Sequence, residues 1–164
     1  MNTAYLLIGG NLGNRSAYLQ QATDLIRQSC GNIVLSSAIY ETAAWGVMDQ
    51  PSFYNQALAV ETQLSPEMLM RELLTIEETM GRKRMVKMGP RIIDLDILLV
   101  DGLVISSALL TLPHPALPFR RFALLPLSEI APAILHPVLL KTVQQLLADC
   151  TDVLDVQKKT ATTN

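Results

Sequence analysis

Two aspartates stand at alternate positions in an otherwise apolar segment, residues 93–97, which reads IDLDI. In a β-strand this spacing projects Asp94 and Asp96 from the same face, about 6.6 Å apart. Two carboxylates at that separation repel each other by about 2.5 kcal/mol at an effective dielectric constant of about 20. A bound cation would remove the repulsion, and water at a wet sheet edge would screen it. The strand alone leaves both interpretations open.

A basic segment immediately precedes the two aspartates. Residues 82–91 contain no acid, although the whole chain has a formal net charge of −2. A solvated charge run or a nucleic-acid patch is the ordinary interpretation of such a segment, but the neighbouring aspartates would repel a nucleic-acid duplex. The positive charges of this segment are Arg82, Lys83, Arg84, Lys87 and Arg91.

The acids and the basic segment together predict a site for a magnesium-bound polyphosphate. Mg²⁺ prefers hard oxygen ligands, and it usually takes one or two carboxylates and completes its shell with water and phosphate oxygens. Arginine and lysine side chains then bind the remaining phosphate oxygens. Asp94 follows Arg91 by only three residues, so both kinds of group lie close together in the chain.

Apolar residues continue beyond Asp96 as far as Val100. The period-two alternation places Leu98 and Val100 on the face of the aspartates. A strand that is apolar on both sides is typical of the centre of a sheet, so the acids are expected at its rim. The opposite face is predicted to carry Ile93, Leu95 and Ile97.

Strand-like and helix-like segments interleave along the rest of the chain. The sequence VDGL at 100–103 predicts a two-residue hairpin that leads into a fifth strand. Hairpin pairing together with interleaved helices predicts an α+β fold. The predicted strands are 4–8, 32–41, 57–62 (beginning near Phe53), the aspartate strand and 104–105. The predicted helices are 15–29 after the N-cap Asn14, 66–80 after the N-cap Ser65, 120–126 and 142–149.

Three loops contain residues that bear on function. The turn at 9–14 is rich in glycine but matches neither phosphate-loop motif, so it is not interpreted as one. Trp45 lies in an irregular loop at 42–52, where it is either a packed anchor or a ligand contact. His114 is flanked by prolines, so it is either presented to a site by a rigid loop or part of a structural turn.

Length and composition limit the class of protein. At 164 residues and 49% hydrophobic residues, the chain is expected to form one domain, 1–157, followed by a polar, frayed tail at 158–164. The small net charge argues against general binding to nucleic acid or to a membrane. Cys30 and Cys150 have no disulfide or metal spacing, and the first residues lack signal-peptide features. We therefore expect a cytoplasmic protein.

The chain resembles the 6-hydroxymethyl-7,8-dihydropterin pyrophosphokinase family of folate biosynthesis over almost its full length. The resemblance rests on AYLLIGGNLG, GVMDQPSFYNQALAVET, GPRIIDLDILLVDG and LTLPHPALPFRRFALLPLSEIAP, in that order. It implies a ferredoxin-like α+β fold with helices packed on a mainly antiparallel sheet. It also implies transfer of pyrophosphate from ATP to the pterin hydroxymethyl group, release of AMP, and two Mg²⁺ ions. The expected partners are these two small molecules, without nucleic acid or membrane, and the protein is expected to be a monomer.

The resemblance also implies a role for particular residues. Asp94 and Asp96 would bind both metals, and Asp94 would also lie at the pterin. The residues at ATP and its phosphates would be Glu77, Arg82, Arg84, Arg91, Ile97, His114 and Arg120, of which Arg82, Arg84 and Arg91 would act in catalysis with the aspartates. The pterin pocket would consist of Thr42, Ala43, Ala44, Trp45, Phe53, Asn55 and Phe122. Residues 81–89 would form a mobile lid.

Several positions depart from the family pattern. Met88 stands where the family often has Trp, and the lid is one residue shorter, which affects lid closure. Leu74 and Leu109 stand where Gln and Arg are common beside the nucleotide, and Gly10 replaces a serine. Two other functions remain as alternatives: a ferredoxin-like RNA-binding module, which would need aromatic stacking positions on its central strands, and a lapsed enzyme, against which the retained aspartates argue.

Overall fold

The computed structural model describes residues 1–43, 50–82 and 90–159. Its first half contains β1 (Asn2–Gly10), α1 (Arg15–Ser29), β2 (Asn32–Ser36), β3 (Tyr40–Thr42), β4 (Phe53–Thr62) and α2 (Pro66–Thr79). Its second half contains β5 (Asp94–Val100), β6 (Ile105–Ser106), β7 (Thr111–Leu112), a 3-10 turn (Leu117–Phe119), α3 (Arg121–Ile130), α4 (Val143–Asp149) and β8 (Val156–Lys158).

Within these ranges the main sheet has the strand order β5-β1-β4-β3-β8, and β2 also pairs with β4. All of these pairings are antiparallel. The order of β5, β1, β4 and the β2/β3 pair, with α1 and α2 as connections, is the ferredoxin-like topology. The predicted α+β fold is therefore confirmed.

The sheet is covered by helices on both faces. Helices α1 and α2 pack on one face, where Leu6, Leu58 and Leu73 are fully buried in one apolar cluster. Helices α3 and α4 pack on the other face, where Leu124 and Val143 belong to a second cluster. Because helices cover both faces of the sheet, β1 is buried over most of its length, and its sequence is a nearly continuous apolar run.

The two long helices begin as predicted. The side chain of Asn14 accepts a hydrogen bond from the amide of Ala17 at 3.1 Å, and that of Ser65 accepts one from the amide of Met68 at 3.2 Å. Each cap satisfies an amide that the first helical turn leaves without a partner. Of the helices in the described ranges, none combines the length and the apolar character needed to cross a membrane.

Strand β5 lies at the edge of the sheet, so the prediction that it is central is wrong. It pairs with β1, and no further described strand continues the main sheet beyond it. Both faces of β5 are apolar because helices cover the sheet on both sides. Leu95 and Ile97 pack in the cluster beneath α1 and α2, while Leu98 and Leu99 pack in the cluster beneath α3 and α4.

A register shift in β5 also corrects the predicted alternation. Leu6 pairs with Ile97, but the next residue back, Tyr5, pairs with Leu99, so β5 has one extra residue at Leu98. Beyond this bulge, each β5 side chain lies on the face opposite to the one that regular alternation would give it. Val100 consequently packs in the cluster of Ile97, not on the face of the aspartates.

Three other sequence predictions differ from the structure. Asp101 and Gly102 do form a turn, with the Leu103 amide donating to the Val100 carbonyl at 3.0 Å, but β6 pairs with β7 and not with β5. The strand predicted at 32–41 is divided into β2 and β3, since the Ala57 amide donates to the Ser37 hydroxyl in place of a backbone carbonyl. The predicted tail begins inside a described strand, because β8 pairs with β3 as far as Lys158, and residues 160–164 lie outside the described residues.

Candidate active site

One end of the sheet brings together side chains from four neighbouring strands. Gly9 of β1 pairs with Asp94 of β5 on one side and with Asn55 of β4 on the other, and Phe53 of β4 pairs with Thr42 of β3. Residues that pair directly share a face of the sheet. Gly9 leaves room for the Asn55 side chain, because a Cβ at Gly9 would clash with the Asn55 Oδ1.

These residues line a cavity between the sheet and α3. Its space, including open solvent at the mouth, is about 620 Å³. Phe53 and Phe122 supply aromatic surface, and Asn55 and Thr42 are buried, with 6% and 3% of their surface exposed. The full lining is Leu7, Gly9, Thr42, Ala43, Phe53, Asn55, Arg91, Asp94, Asp96, Arg120 and Phe122.

Thr42 is unusual in this cavity because its hydroxyl oxygen is buried and has no hydrogen-bond partner among the described residues. A buried polar atom without a partner costs about 1–3 kcal/mol. A ligand with a polar edge would remove that penalty. The cavity thus combines flat apolar surfaces with polar groups that are suited to a heterocycle.

Asp94 is bound by two arginines at the mouth of this cavity. Arg82 Nη1 lies 2.7 Å from Asp94 Oδ1, and Arg91 Nη1 lies 3.2 Å from Asp94 Oδ2. The same Arg82 nitrogen lies 2.8 Å from Glu77 Oε2. Glu77 Oε2 also accepts a hydrogen bond from the Leu95 amide at 2.8 Å, so Glu77 joins α2 to the start of β5.

Asp96 is in a different electrostatic environment. Burial raises the pKa of its carboxyl to about 7, and the negative charges of Asp94 and Glu77 add to the shift, while Arg120 and Arg82 oppose it.

Asp94 and Asp96 together fit a divalent cation, because they place two hard oxygen donors on one face and one of them is repelled by its acidic neighbours. The described residues contain no group of three or more His, Cys, Asp or Glu that could hold a metal. The remaining ligands would therefore have to come from water and substrate, as is usual for Mg²⁺.

A second, more open cleft lies on the other side of the aspartates. Asp94 and Asp96 belong to both linings, so the acids stand at the boundary between the two spaces. The other residues of this cleft are mostly apolar: Met70, Leu74, Leu95, Ile97, Ala108, Leu109, Leu110, Thr111, His114 and Pro115.

His114 is held at the edge of this cleft by hydrogen bonds of its amide and of its ring to neighbouring backbone groups. Its amide donates to the Leu98 carbonyl at 2.9 Å, and its Nδ1 accepts from the Ala116 amide at 3.1 Å. Burial lowers the pKa of the imidazole, Arg120 lowers it further, and Asp94 opposes the shift. The ring is consequently kept neutral near physiological pH.

Asn11 is a structurally important residue that the sequence interpretation missed. Only 1% of it is exposed, and its Nδ2 donates to Gln50 Oε1 at 2.8 Å and to the Pro51 carbonyl at 2.9 Å. Its Oδ1 accepts from the Arg91 amide at 2.9 Å. Asn11 therefore ties the chain just before Phe53 to the chain just before Asp94. The only local signal is its place in the glycine-rich turn at 9–14.

The predicted site residues occupy distinct places. Asp94, Asp96, Arg91 and Arg120 line the first cavity with the predicted pterin residues Thr42, Ala43, Phe53, Asn55 and Phe122, and Ile97 and His114 line the second. Glu77 and Arg82 belong to neither lining and instead bind each other beside the acids. Ala44, Trp45, Arg84 and Met88 lie outside the described residues, as does most of the predicted lid.

Comparison with known proteins identifies close sequence relatives. A family model described as 7,8-dihydro-6-hydroxymethylpterin-pyrophosphokinase matches residues 5–132. The 2-amino-4-hydroxy-6-hydroxymethyldihydropteridine pyrophosphokinase of Aquifex aeolicus is 39% identical over 145 residues, which are 88% of this chain and 90% of that protein. The protein of the same name from Bacillus subtilis is 43% identical over 130 residues, or 79% of this chain and 78% of that protein.

The fold also resembles solved structures. A crystal structure of Plasmodium falciparum HPPK-DHPS, wild type with SDX-DHP, matches with a TM-score of 0.70 at 20% identity. The match covers 90% of this chain and 43% of that chain, so this chain spans less than half of the solved protein. At this level of identity the likeness shows the fold alone.

Proposed function

Since the chain belongs to the 7,8-dihydro-6-hydroxymethylpterin-pyrophosphokinase family, we propose that its two cavities divide the substrates of that reaction between them. The protein is a transferase of folate biosynthesis that moves pyrophosphate from ATP to the hydroxymethyl group of 6-hydroxymethyl-7,8-dihydropterin and releases AMP. The pterin occupies the cavity between Phe53 and Phe122, and ATP occupies the cleft beside Ile97. The observation that carries this division is that Asp94 and Asp96 line both spaces.

The first cavity suits the pterin ring in shape and in hydrogen bonding. Phe53 and Phe122 stack on the flat heterocycle, with a contribution of about 1–3 kcal/mol for each stacked face, judged from the stacking of nucleic-acid bases. Asn55 and the hydroxyl of Thr42, which has no partner among the described residues, form hydrogen bonds with the polar edge of the ring. Ala43 also lines this cavity. Ala44 and Trp45, which are assigned from the family resemblance alone, complete the pterin pocket.

The second cleft suits the nucleotide. Its apolar residues, including Ile97 and Leu109, contact the base, and its polar side reaches His114 and the aspartates. Arg120 lines the first cavity, with its guanidinium carbon 5.6 Å from the centre of the Phe122 ring, and its charge acts on the carboxyl of Asp96 and the imidazole of His114. The phosphates therefore lie between Arg120, Arg91 and Arg82, with Arg84 as a further contact proposed from sequence.

Glu77 contributes to ATP binding through Arg82 and not by direct contact. Its carboxylate is 3% exposed and binds the Arg82 guanidinium and the Leu95 amide. It thereby fixes both a phosphate-binding arginine and the first residues of β5. Removal of Glu77 would displace both.

The family implies two Mg²⁺ ions, and Asp94 and Asp96 are the side chains that would hold them. When bound, the ions would neutralise negative charge on the phosphate oxygens. Arg82 and Arg91 now bind Asp94. Polyphosphate competes for these two guanidinium groups, so its arrival releases the Asp94 carboxylate and transfers the arginines to substrate.

The chemical step then depends on positioning. The hydroxymethyl oxygen attacks the β-phosphorus in line, and the bond between that phosphorus and the oxygen it shares with the α-phosphate breaks. AMP leaves with that oxygen, and the hydroxyl proton passes to solvent. No protein nucleophile is required. A neutral His114 can donate a hydrogen bond to a phosphate without changing the charge of the site. Proximity of the two substrates and charge stabilisation supply most of the acceleration.

We further propose that the protein acts as a monomer in the cytoplasm and that its residues 1–159 form one domain. Cys30 and Cys150 are free thiols, as is usual in a reducing compartment. The tail beyond Lys159 lies outside the described residues.

Equilibrium titration of the wild type and of Phe53→Ala with 6-hydroxymethyl-7,8-dihydropterin, and separately with a non-hydrolysable ATP analogue, tests the division of substrates. We expect Phe53→Ala to weaken pterin binding and to leave analogue binding nearly unchanged. Equal weakening of both ligands would contradict the assignment of the first cavity to the pterin.

A further inference from the structure

The C-terminal strand β8 lies beside the first cavity, although it is outside the segment 5–132 that the family model matches. It pairs antiparallel with β3, so that Val156 is opposite Thr42 and Gln157 is opposite Glu41. Thr42 is also opposite Phe53 of β4. The strand that carries Thr42 is thus held between β4 and β8, and without β8 it would be an edge.

An ion pair connects the residue after β8 to the other face of β3. Lys159 Nζ lies 3.3 Å from Glu41 Oε1, and the Lys159 amide donates to the Ile39 carbonyl at 2.8 Å. The opposite oxygen of Glu41, Oε2, accepts a hydrogen bond from the hydroxyl of Ser52 and lies 3.3 Å from Arg15 Nη1. The hydrogen bond from Ser52 is the main cause that lowers the pKa of the Glu41 carboxyl, and Lys159 and Arg15 also lower it.

Ser52 is the residue immediately before Phe53. Arg15 Nη1 donates both to the Ser52 carbonyl and to its hydroxyl, each at 2.9 Å. The Arg15 guanidinium carbon also lies 3.8 Å from the centre of the Tyr54 ring, and Lys159 Nζ lies 5.5 Å from the same point. Two cations and one carboxylate therefore hold Ser52 and the Tyr54 side chain, the neighbours of Phe53 on either side.

We propose that Lys159, together with β8, is a positioning element of the pterin site. It acts through Glu41 and Ser52 to keep Thr42 and Phe53 at the cavity wall, and it touches neither substrate. The proposal rests on the assignment of the first cavity to the pterin. The second cleft is built from α2, β5 and residues 108–115, so loss of Lys159 should affect the pterin and not ATP.

The test is steady-state kinetics of Lys159→Met, in which the charge is removed and most of the apolar stem is kept. We expect KM for the pterin to rise about two- to fivefold, as for a partly exposed ion pair, while KM for ATP and kcat stay unchanged. Lys159→Arg should restore the wild-type value. Lys158→Met is the matched control, because the Lys158 amine pairs with Glu129 at 3.5 Å, near the end of α3 opposite to Phe122.

A double-mutant cycle separates this role from a general loss of stability. Glu41→Gln should raise KM for the pterin at least as much, because it also weakens the contacts of Glu41 with Ser52 and Arg15. Lys159→Met should add little in that background, because its ion pair with Glu41 is already lost. If Lys159→Met leaves KM for the pterin unchanged, whether or not it lowers the melting temperature, the proposal is wrong. Additive effects of the two changes would contradict it as well.

Phe53→Ala measured in parallel distinguishes failure of this proposal from failure of the pocket assignment. If Phe53→Ala raises KM for the pterin but Lys159→Met does not, the cavity binds the pterin and the role of Lys159 is wrong. If neither variant changes KM for the pterin, the pocket assignment itself fails and the positioning role fails with it.

Discussion

The guanidinium of Arg82 binds the carboxylate of Asp94, with Nη1 2.7 Å from Oδ1. The same nitrogen binds buried Glu77, and Arg91 binds the other oxygen of Asp94. Asp94 is therefore neutralised by arginines, whereas the carboxyl of Asp96 has a pKa raised to about 7 by burial and by its acidic neighbours. The two aspartates are equivalent in sequence pattern but not in environment, and their variants should differ.

Replacement of either aspartate should abolish most activity, but loss of the Asp94 carboxylate should lower the stability of the protein and loss of the Asp96 carboxylate should raise it. Asp94→Ala and Asp96→Ala should each lower turnover by orders of magnitude, because each removes an oxygen ligand. Asp94→Ala should also destabilise the protein, since it leaves two arginines without their shared partner, whereas Asp96→Asn should stabilise it by removing a repelled, buried carboxyl. Turnover across a Mg²⁺ titration and urea unfolding in EDTA measure the two effects. Near-normal turnover in either alanine variant would disprove the metal assignment.

Arg82→Ala should reduce the chemical step more than nucleotide affinity. The arginine must leave Asp94 to reach phosphate, so its interaction with substrate is strongest after binding. Single-turnover rates and analogue titration separate the two quantities, and loss of affinity with an unchanged single-turnover rate would contradict this role. The sequence gives the same expectation for Arg84.

The pair formed by Arg82 and Glu77 also has a consequence for stability. Truncation of Arg82 leaves the carboxylate of Glu77 buried without this partner, which should lower the free energy of unfolding by on the order of 3 kcal/mol. Glu77→Gln in the Arg82→Ala background should recover part of the loss, because the amide carries no charge. Urea unfolding of the single and double variants measures this. A further loss in the double variant would show that the ion pair does not determine the effect.

The two phenylalanines and Asn55 should divide pterin recognition between stacking and hydrogen bonding. Phe122→Ala, like Phe53→Ala, should weaken pterin binding by about 1–3 kcal/mol, and Asn55→Ala should reduce discrimination among pterin-like rings because it removes an edge contact. Titration of each folded variant with the pterin, with a ring analogue and with an ATP analogue measures this. Normal pterin affinity in both phenylalanine variants would make these residues ordinary core residues.

Asn11 should couple the two substrate sites. Its amide joins Gln50 and Pro51, on the pterin side, to the backbone of Arg91, on the phosphate side. Asn11→Ser should therefore reduce the factor by which an ATP analogue strengthens pterin binding, with less effect on either ligand alone. Titration with the pterin in the presence and absence of the analogue gives this factor. An unchanged factor, in a variant that folds normally, would contradict the coupling.

The sequence predicts what depends on local pattern. Period-two alternation is sufficient to place Asp94 and Asp96 on one face, and Asn14 and Ser65 mark the helix starts because capping acts over three residues. Phe53, Asn55 and Phe122 could be assigned only by resemblance, since an aromatic or amide residue has no spacing that distinguishes a pocket from a core.

The features that the sequence did not predict depend on distant partners. The bulge at Leu98 is set by the register with β1, and the two apolar faces of β5 depend on helices far away in the chain. The bonds from the Asn11 side chain cross 39 to 80 residues. Strand β8 is short and polar, so only its pairing with β3 identifies it.

The most direct test of the account is the identity of the nucleotide product. The wild-type protein is incubated with Mg-ATP and 6-hydroxymethyl-7,8-dihydropterin, with Asp96→Ala as the control for the metal site, and the nucleotides and the pterin product are quantified together. The account predicts AMP in equal amount to pterin pyrophosphate, dependent on both substrates and on Mg²⁺, and nearly absent in the variant. Formation of ADP, or accumulation of a phosphorylated enzyme, would contradict direct transfer of pyrophosphate between the two cavities.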